Sequence, residues 1–211
     1  MEGRREAVNQ AGERNPRGRP RKYSDELLVA AALRVMEREG YAALTIRSLA
    51  EELGTSHTTL YNYISSIEEI EARAVHQLAA QLPAPRSVSA PELRTELIAL
   101  LRAVQRLLLQ HPGVMLSRPD SAAGRSFQQT GDQWQRALRA YAPDAKTVQL
   151  ALGALMSTVL LAVEGERRHG PAFDKNNRRR DAIHSADSLA HYSFEQYLDA
   201  MIGLVLPGLS A

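Results

Sequence analysis

Between Thr45 and Ile64 the sequence sorts its side chains into two classes by spacing. Ile46, Leu49, Ala50 and Leu53 recur at helical intervals and turn inward, Gly54 interrupts, and Leu60 and Ile64 fall on one face of a second short segment opened by Ser56. His57, Thr58, Tyr61 and Asn62 are left on the outer side of that segment. An imidazole, a hydroxyl, a phenol and an amide can each bond a base edge or a phosphate, and a threonine methyl can touch a thymine methyl. The same spacing also suits a generic helical hairpin with a solvated polar face.

Catalytic chemistry finds no comparable foothold. None of the 211 residues is cysteine, which removes thiol catalysis, Cys-ligated zinc, iron–sulfur clusters and disulfides together. The patterns GxSxG, HExxH, GxxxxGK[ST] and GxGxxG are all missing, so neither an enzyme nor a cofactor is expected. His184, Asp187 and His191 would share one face if the last helix began early. Polar faces of surface helices yield such trios readily, and no metal is expected.

The elements that must position the outward-facing groups are helices throughout, and the chain reads as all-α: three helices with helix-turn-helix dimensions, then a helical body. Ser24 caps a first helix whose stripe is Leu28, Ala31, Ala32, Val35 and Met36, ending at Gly40. Thr45 opens the second helix and Ser56 the third, each about eight residues, and Ser66 with Glu69 forms a capping box for a fourth that stops near Pro83. The proline-rich stretch 83–91 is a linker or sharp turn. Helices are then expected over 92–110, 121–141, 144–168 and 186–206, with a polar loop at 169–185. Leu150–Val163 is apolar or small on almost every face but too short to span a membrane, which points to a buried or subunit-interface helix.

Composition agrees with a globular protein: 44% apolar, 24% charged and 5% aromatic. The first twenty residues are Arg-rich without an apolar core, so a soluble cytoplasmic protein is expected. Net charge is +2, but it divides unevenly: +4 over residues 1–22, −5 over 23–80 and +3 over 81–211. Three units follow: a basic flexible arm (1–22), a compact helical domain with its connecting fourth helix (23–82) and a larger helical body (83–211). A basic tail on an acidic domain suggests a polyanionic partner.

The run Leu44-Thr45-Ile46-Arg47-Ser48-Leu49-Ala50-Glu51-Glu52-Leu53-Gly54, the triplet Thr59-Leu60-Tyr61 and Glu68-Glu69-Ile70 resemble the N-terminal DNA-binding domain of TetR-type transcriptional regulators over about residues 24–75. The resemblance implies that Thr45 and Arg47 touch DNA from the start of the second helix. It further implies base or backbone contacts from His57, Thr58, Thr59, Asn62 and Tyr63, with Tyr61 binding phosphate. Ile67 stands where the family usually carries a phosphate-binding lysine. The arm is a plausible compensation: Arg17-Gly18-Arg19-Pro20-Arg21-Lys22 resembles an AT-hook core that could lie in a narrow minor groove, or it is a tail adding non-specific affinity.

By the same resemblance the protein is expected to be a homodimer joined through its last two long helices, binding a pseudo-palindromic operator on double-stranded DNA without a membrane partner. It would act as a repressor released by a small, largely apolar effector. Ala151, Gly153, Ala154 and Ser157 with Tyr197, Met201 and Leu204 suit close helix packing, whether between subunits or in a monomer core. Candidate effector contacts are Gln105, His111, Met115, Phe127, Gln133, Trp134 and Tyr141, although Phe127 and Trp134 are equally suited to a core and His111 to capping the helix before Pro112. The competing function is an architectural, nucleoid-type DNA-binding protein with little sequence choice.

Overall fold

The computed structural model describes residues 22–86, 89–116, 121–169 and 194–209, and every regular element among them is helical. The first four helices are α1 (Asp25–Glu39), α2 (Ile46–Glu52), α3 (His57–Leu60) and α4 (Ile67–Ala79). Each begins where the sequence offers a capping oxygen. Ser24, Thr45, Ser56 and Ser66 accept the backbone N–H three residues on, which satisfies a donor that the helix itself leaves open. Thr45 and Ser48 cap each other reciprocally. At Ser66 the expected box is altered, because the Glu69 carboxylate accepts from the Ser65 N–H at 3.3 Å instead.

The expected stripe of α1 is fully buried, and Leu49, Leu60, Ile70 and Val75 close over it from α2, α3 and α4. Arg34 and Arg38 of α1 both bond the largely buried Glu52 carboxylate of α2, at 2.6 and 2.8 Å. Arg73 of α4 reaches Asp25 of α1 at 2.7 Å. Apolar contact sets the packing here and the ion pairs fix its register.

The helical body comprises α5 (Ala90–Gln110), α6 (Ala122–Leu138), α7 (Ala145–His169) and α8 (Phe194–Val205). The linker is shorter than its prolines suggested, since Ala90 and Pro91 open α5, and a first helical turn tolerates proline because its N–H would have no partner anyway. α7 packs on α5 and α8, and α6 lies along α4. α7 has the length expected of it, and its apolar character extends beyond the 14-residue centre. Ala145–Arg167 has a window of mean hydropathy 1.6 and could cross a membrane by length and composition. One face of α7, carrying Val148, Leu155, Val159 and Val163, is buried in the body, while Leu150, Leu160 and Leu161 are exposed. The polar loop expected after α7, the start of the last helix, the trio His184, Asp187 and His191, and Arg17, Arg19 and Arg21 of the arm lie outside the described residues.

Candidate nucleic-acid interface and effector cavity

The turn between α2 and α3 is built by Gly54, whose φ of +60° favours glycine. Gly54 N–H bonds Glu51 O at 3.1 Å and Thr55 N–H bonds Ala50 O at 2.9 Å, so the end of α2 is closed by a paired capping motif and α3 leaves at a fixed angle. α3 is shorter than the eight residues expected. After Leu60 the chain tightens, with Asn62 N–H on Thr59 O and Tyr63 N–H on Leu60 O, i→i+3 bonds that continue the coil as a narrower turn. Leu60 and Ile64 are buried and anchor this turn from beneath.

On its outer side His57, Thr58, Tyr61 and Asn62 are exposed together, Tyr61 at 60%. Thr45 is exposed at the start of α2, and its hydroxyl is engaged in the cap. Arg47 projects into solvent two residues further, with its guanidinium 2.9 Å from Glu51. That pair is 80% and 65% exposed, so it costs little to exchange for another anion. Thr59 and Tyr63 are placed differently. Thr59 is half-buried with its hydroxyl 2.9 Å from Ser56 Oγ, and Tyr63 packs edge-on against Tyr23 with ring centroids 5.2 Å apart.

Tyr23 is a structural residue that the sequence reading passed over. It is 4% exposed and sits immediately before the Ser24 cap, with buried Leu28 at the fourth helical position. That is the pattern of a hydrophobic staple, a signal available in the sequence. Lys22, the last residue of the basic arm, lies 5.1 Å over the Tyr23 ring. The staple therefore sets Lys22 beside the Tyr23–Tyr63 pair.

Between α5, α6 and α7 lies an apolar cavity of about 90 Å³, closed on the α4 side by Leu82. Of the seven expected effector contacts, Met115, Phe127 and Trp134 line it. Thr130 and Gly131 of α6 and Met156 of α7 line it too, and were missed because small and flexible apolar residues on a helix read as ordinary core. Gln105, His111, Gln133 and Tyr141 do not line it. Gln105 donates to Glu166 at 3.3 Å, where burial raises the carboxyl above its usual range and the Gln105 amide opposes that rise. Tyr141 lies in a 3-10 turn against Gly208. His111 is 8% exposed, its Nδ1 has no hydrogen-bond partner among the described residues, and burial lowers its pKa against the opposing pull of Glu37. A roomier recess of about 250 Å³ lies on the outer face of α6 between Arg125, Asp132 and Arg136, but it is open and polar and lies apart from the apolar layer. Among the described residues no cluster of three potential metal ligands occurs.

These features match known proteins. Residues 28–74 match the family model of bacterial regulatory proteins, tetR family. The uncharacterized HTH-type transcriptional regulator Rv0681 of Mycobacterium tuberculosis is 33% identical over 100 residues, 45% of this chain and 44% of that protein. An HTH-type transcriptional regulator of Saccharopolyspora erythraea is 30% identical over 100 residues, 47% of this chain and 42% of that one. The matches thus span less than half of either relative. Among solved structures, apo ActR of Streptomyces coelicolor superposes with a TM-score of 0.59 at 19% identity, covering 90% of this chain and 99% of that one. BioQ of Mycobacterium smegmatis gives 0.54 at 22%, covering 89% and 98%. At such identities the likeness is one of fold, and it extends through the helical body. Residues 28–74 thus match the tetR family of bacterial regulatory proteins, and the described helices share the fold of solved structures such as that of ActR, a TetR family protein.

Proposed function

We propose that this protein is a ligand-responsive transcriptional regulator, a cytoplasmic homodimer that represses from a pseudo-palindromic operator until a small apolar effector releases it. The observation that carries the reading is the exposed row His57, Thr58, Tyr61 and Asn62 on a rigidly capped turn, with Thr45 and Arg47 beside it. Such a turn suits a major groove, with amide and imidazole groups toward base edges and Arg47 and Tyr61 toward phosphates. Thr59 and Tyr63, half-buried, are assigned to orienting the turn and to backbone contact. Arg17, Arg19 and Arg21 supply positive charge that the acidic domain lacks.

The exposed leucines of α7 and Leu204 of α8, 74% exposed, form an apolar face suited to a second copy. Twofold pairing would set the two reading turns about 34–36 Å apart, one helical repeat of DNA. Effector binding is assigned to the cavity walled by Met115, Phe127 and Trp134. ActR has been solved with actinorhodin and an Acinetobacter baumannii TetR variant with minocycline, both on this fold. At about 90 Å³ the cavity is well below the roughly 300 Å³ of an ordinary ligand pocket, so an effector must displace a wall, and Leu82, just past the end of α4, is the wall joined through α4 to the reading turn.

Selection of bound sequences from a random DNA pool, followed by footprinting, tests the reading. One protected palindrome is the expected result. Uniform coating without sequence enrichment would replace it with an architectural role.

A further inference from the structure

We propose that Trp134 is the positioning residue that couples the filling of the cavity to the C-terminal end of α4. Its ring is a wall of the cavity and 1% exposed, while its indole N–H donates to the carbonyl of Pro83 at 2.9 Å. Pro83 follows directly on Leu82, which closes the same cavity from the α4 side. One side chain therefore touches the space an effector would enter and holds the backbone through which α4 joins the body.

The surrounding contacts make this bond a control point. After Ala79 the chain continues for one tight turn, with Gln81 N–H on Leu78 O and Leu82 N–H on Ala79 O, so Leu82 and Pro83 move with α4. Three residues later Arg86 N–H bonds Glu96 of α5 at 2.8 Å, which pins the far end of the linker to the body. Between these points the Trp134 bond is the described hydrogen bond from α6 to the linker. Phe127, Gly131 and Trp134 stand at i, i+4 and i+7 along α6, so all three face the cavity from one side, and a Cβ added at Gly131 would meet nothing within 4 Å. A group entering beside Gly131 presses on Leu82 and the indole together. Rotation of the indole breaks the bond to Pro83 and frees the end of α4. This inference rests on the effector reading above, but the bond can be examined without DNA.

The chain has one tryptophan and no cysteine, which permits a clean test on the full-length protein. Gly131→Cys supplies a single thiol at the cavity, and benzyl methanethiosulfonate loads it: the thiolate sulfur bonds the benzylthio sulfur and methanesulfinate leaves. Loading is verified by mass, and hydrogen exchange is read at residues 78–86. The same measurement is repeated on protein carrying benzothienylalanine at position 134, which keeps the shape of the ring and loses the N–H, and on Trp134→Phe.

With tryptophan present, loading should accelerate exchange at the end of α4 about fivefold, the size of one lost hydrogen bond. It should also shift the tryptophan emission. Without the N–H, exchange should already be fast before loading, and loading should add little. Equal acceleration by loading with and without the N–H, no acceleration in either, or a thiol that refuses the benzyl group would each overturn the coupling. Affinity for the selected DNA is a separate arm. If exchange responds as expected while the loaded protein keeps its DNA affinity, the coupling stands and the release mechanism fails.

Discussion

The backbone N–H of Tyr41 donates to the carbonyl of Pro112 at 2.8 Å, and this bond ties the segment after α1 to the corner after α5. The Tyr41 hydroxyl donates to Glu71 of α4, so one residue bridges the two ends of the small domain and the body. Two glycines make the close approach possible: Gly40 at φ +90° and Gly113 at φ +83°. Hydrogen bonds here and at Trp134–Pro83 therefore add to the packing of α4 on α6 in holding the small domain to the body.

Gly40→Ala should weaken this junction. With φ 90° and ψ 163° the backbone lies where only glycine is at ease, and a Cβ would sit 3.4 Å from the Pro112 carbonyl. A destabilisation of about 1–3 kcal/mol is expected, read as a lower urea midpoint at unchanged m-value. An unchanged midpoint would show that the junction relaxes without cost.

His111 beside this junction should make stability depend on pH. Burial holds its folded pKa below the ordinary 6.5, so the unfolded chain binds the proton more readily. The neutral ring's contribution is then complete above about pH 6.5 and declines as pH falls through that value towards the folded pKa. Melting temperatures of the natural protein should drop between about pH 7 and 5 more steeply than those of His111→Leu. Parallel curves would count against the assignment.

Arg47 and the arm should separate by their salt dependence. Arg47→Ala removes an exposed side chain paired with an exposed glutamate, so stability should change by less than about 0.5 kcal/mol. DNA affinity should fall, with the slope of log K against log salt reduced by about one. Deleting residues 1–22, which carry seven basic groups, should reduce the slope further. Unchanged slope and affinity after the deletion would remove the arm from DNA binding.

Leu161 tests the dimer. It is 75% exposed on α7, and Leu161→Glu should leave the folded monomer intact while preventing apolar pairing. Light scattering at micromolar concentration should report a dimer for the natural chain and a monomer for the variant. A natural chain that is monomeric would rule out the twofold arrangement.

Local chemistry made much of this legible from residues alone. Ser24, Thr45, Ser56 and Ser66 announced four helix starts because a capping oxygen acts within three residues of itself. The buried stripe of α1 followed from a period that any amphipathic helix must show. Glycine at position 54 was readable as a turn for the same local reason. Tyr23 was legible too, through the staple pattern, but a single aromatic before a cap is easily read as part of the arm.

What the sequence by itself determined was the helical class, the caps, the reading turn with its outward groups and the division of charge between arm and domain. Tertiary structure decided which apolar residues enclose a cavity and which merely fill the core, because Met115, Phe127 and Trp134 differ from Leu138 or Leu97 only in what the opposite helix leaves empty. It also decided that His111 belongs to a junction and Gln105 to a contact with Glu166, since both depend on partners more than fifty residues away or on another helix. Spacing along one helix says which face a residue occupies; only the packing of α4 against α6 could set an indole N–H beneath the carbonyl of Pro83.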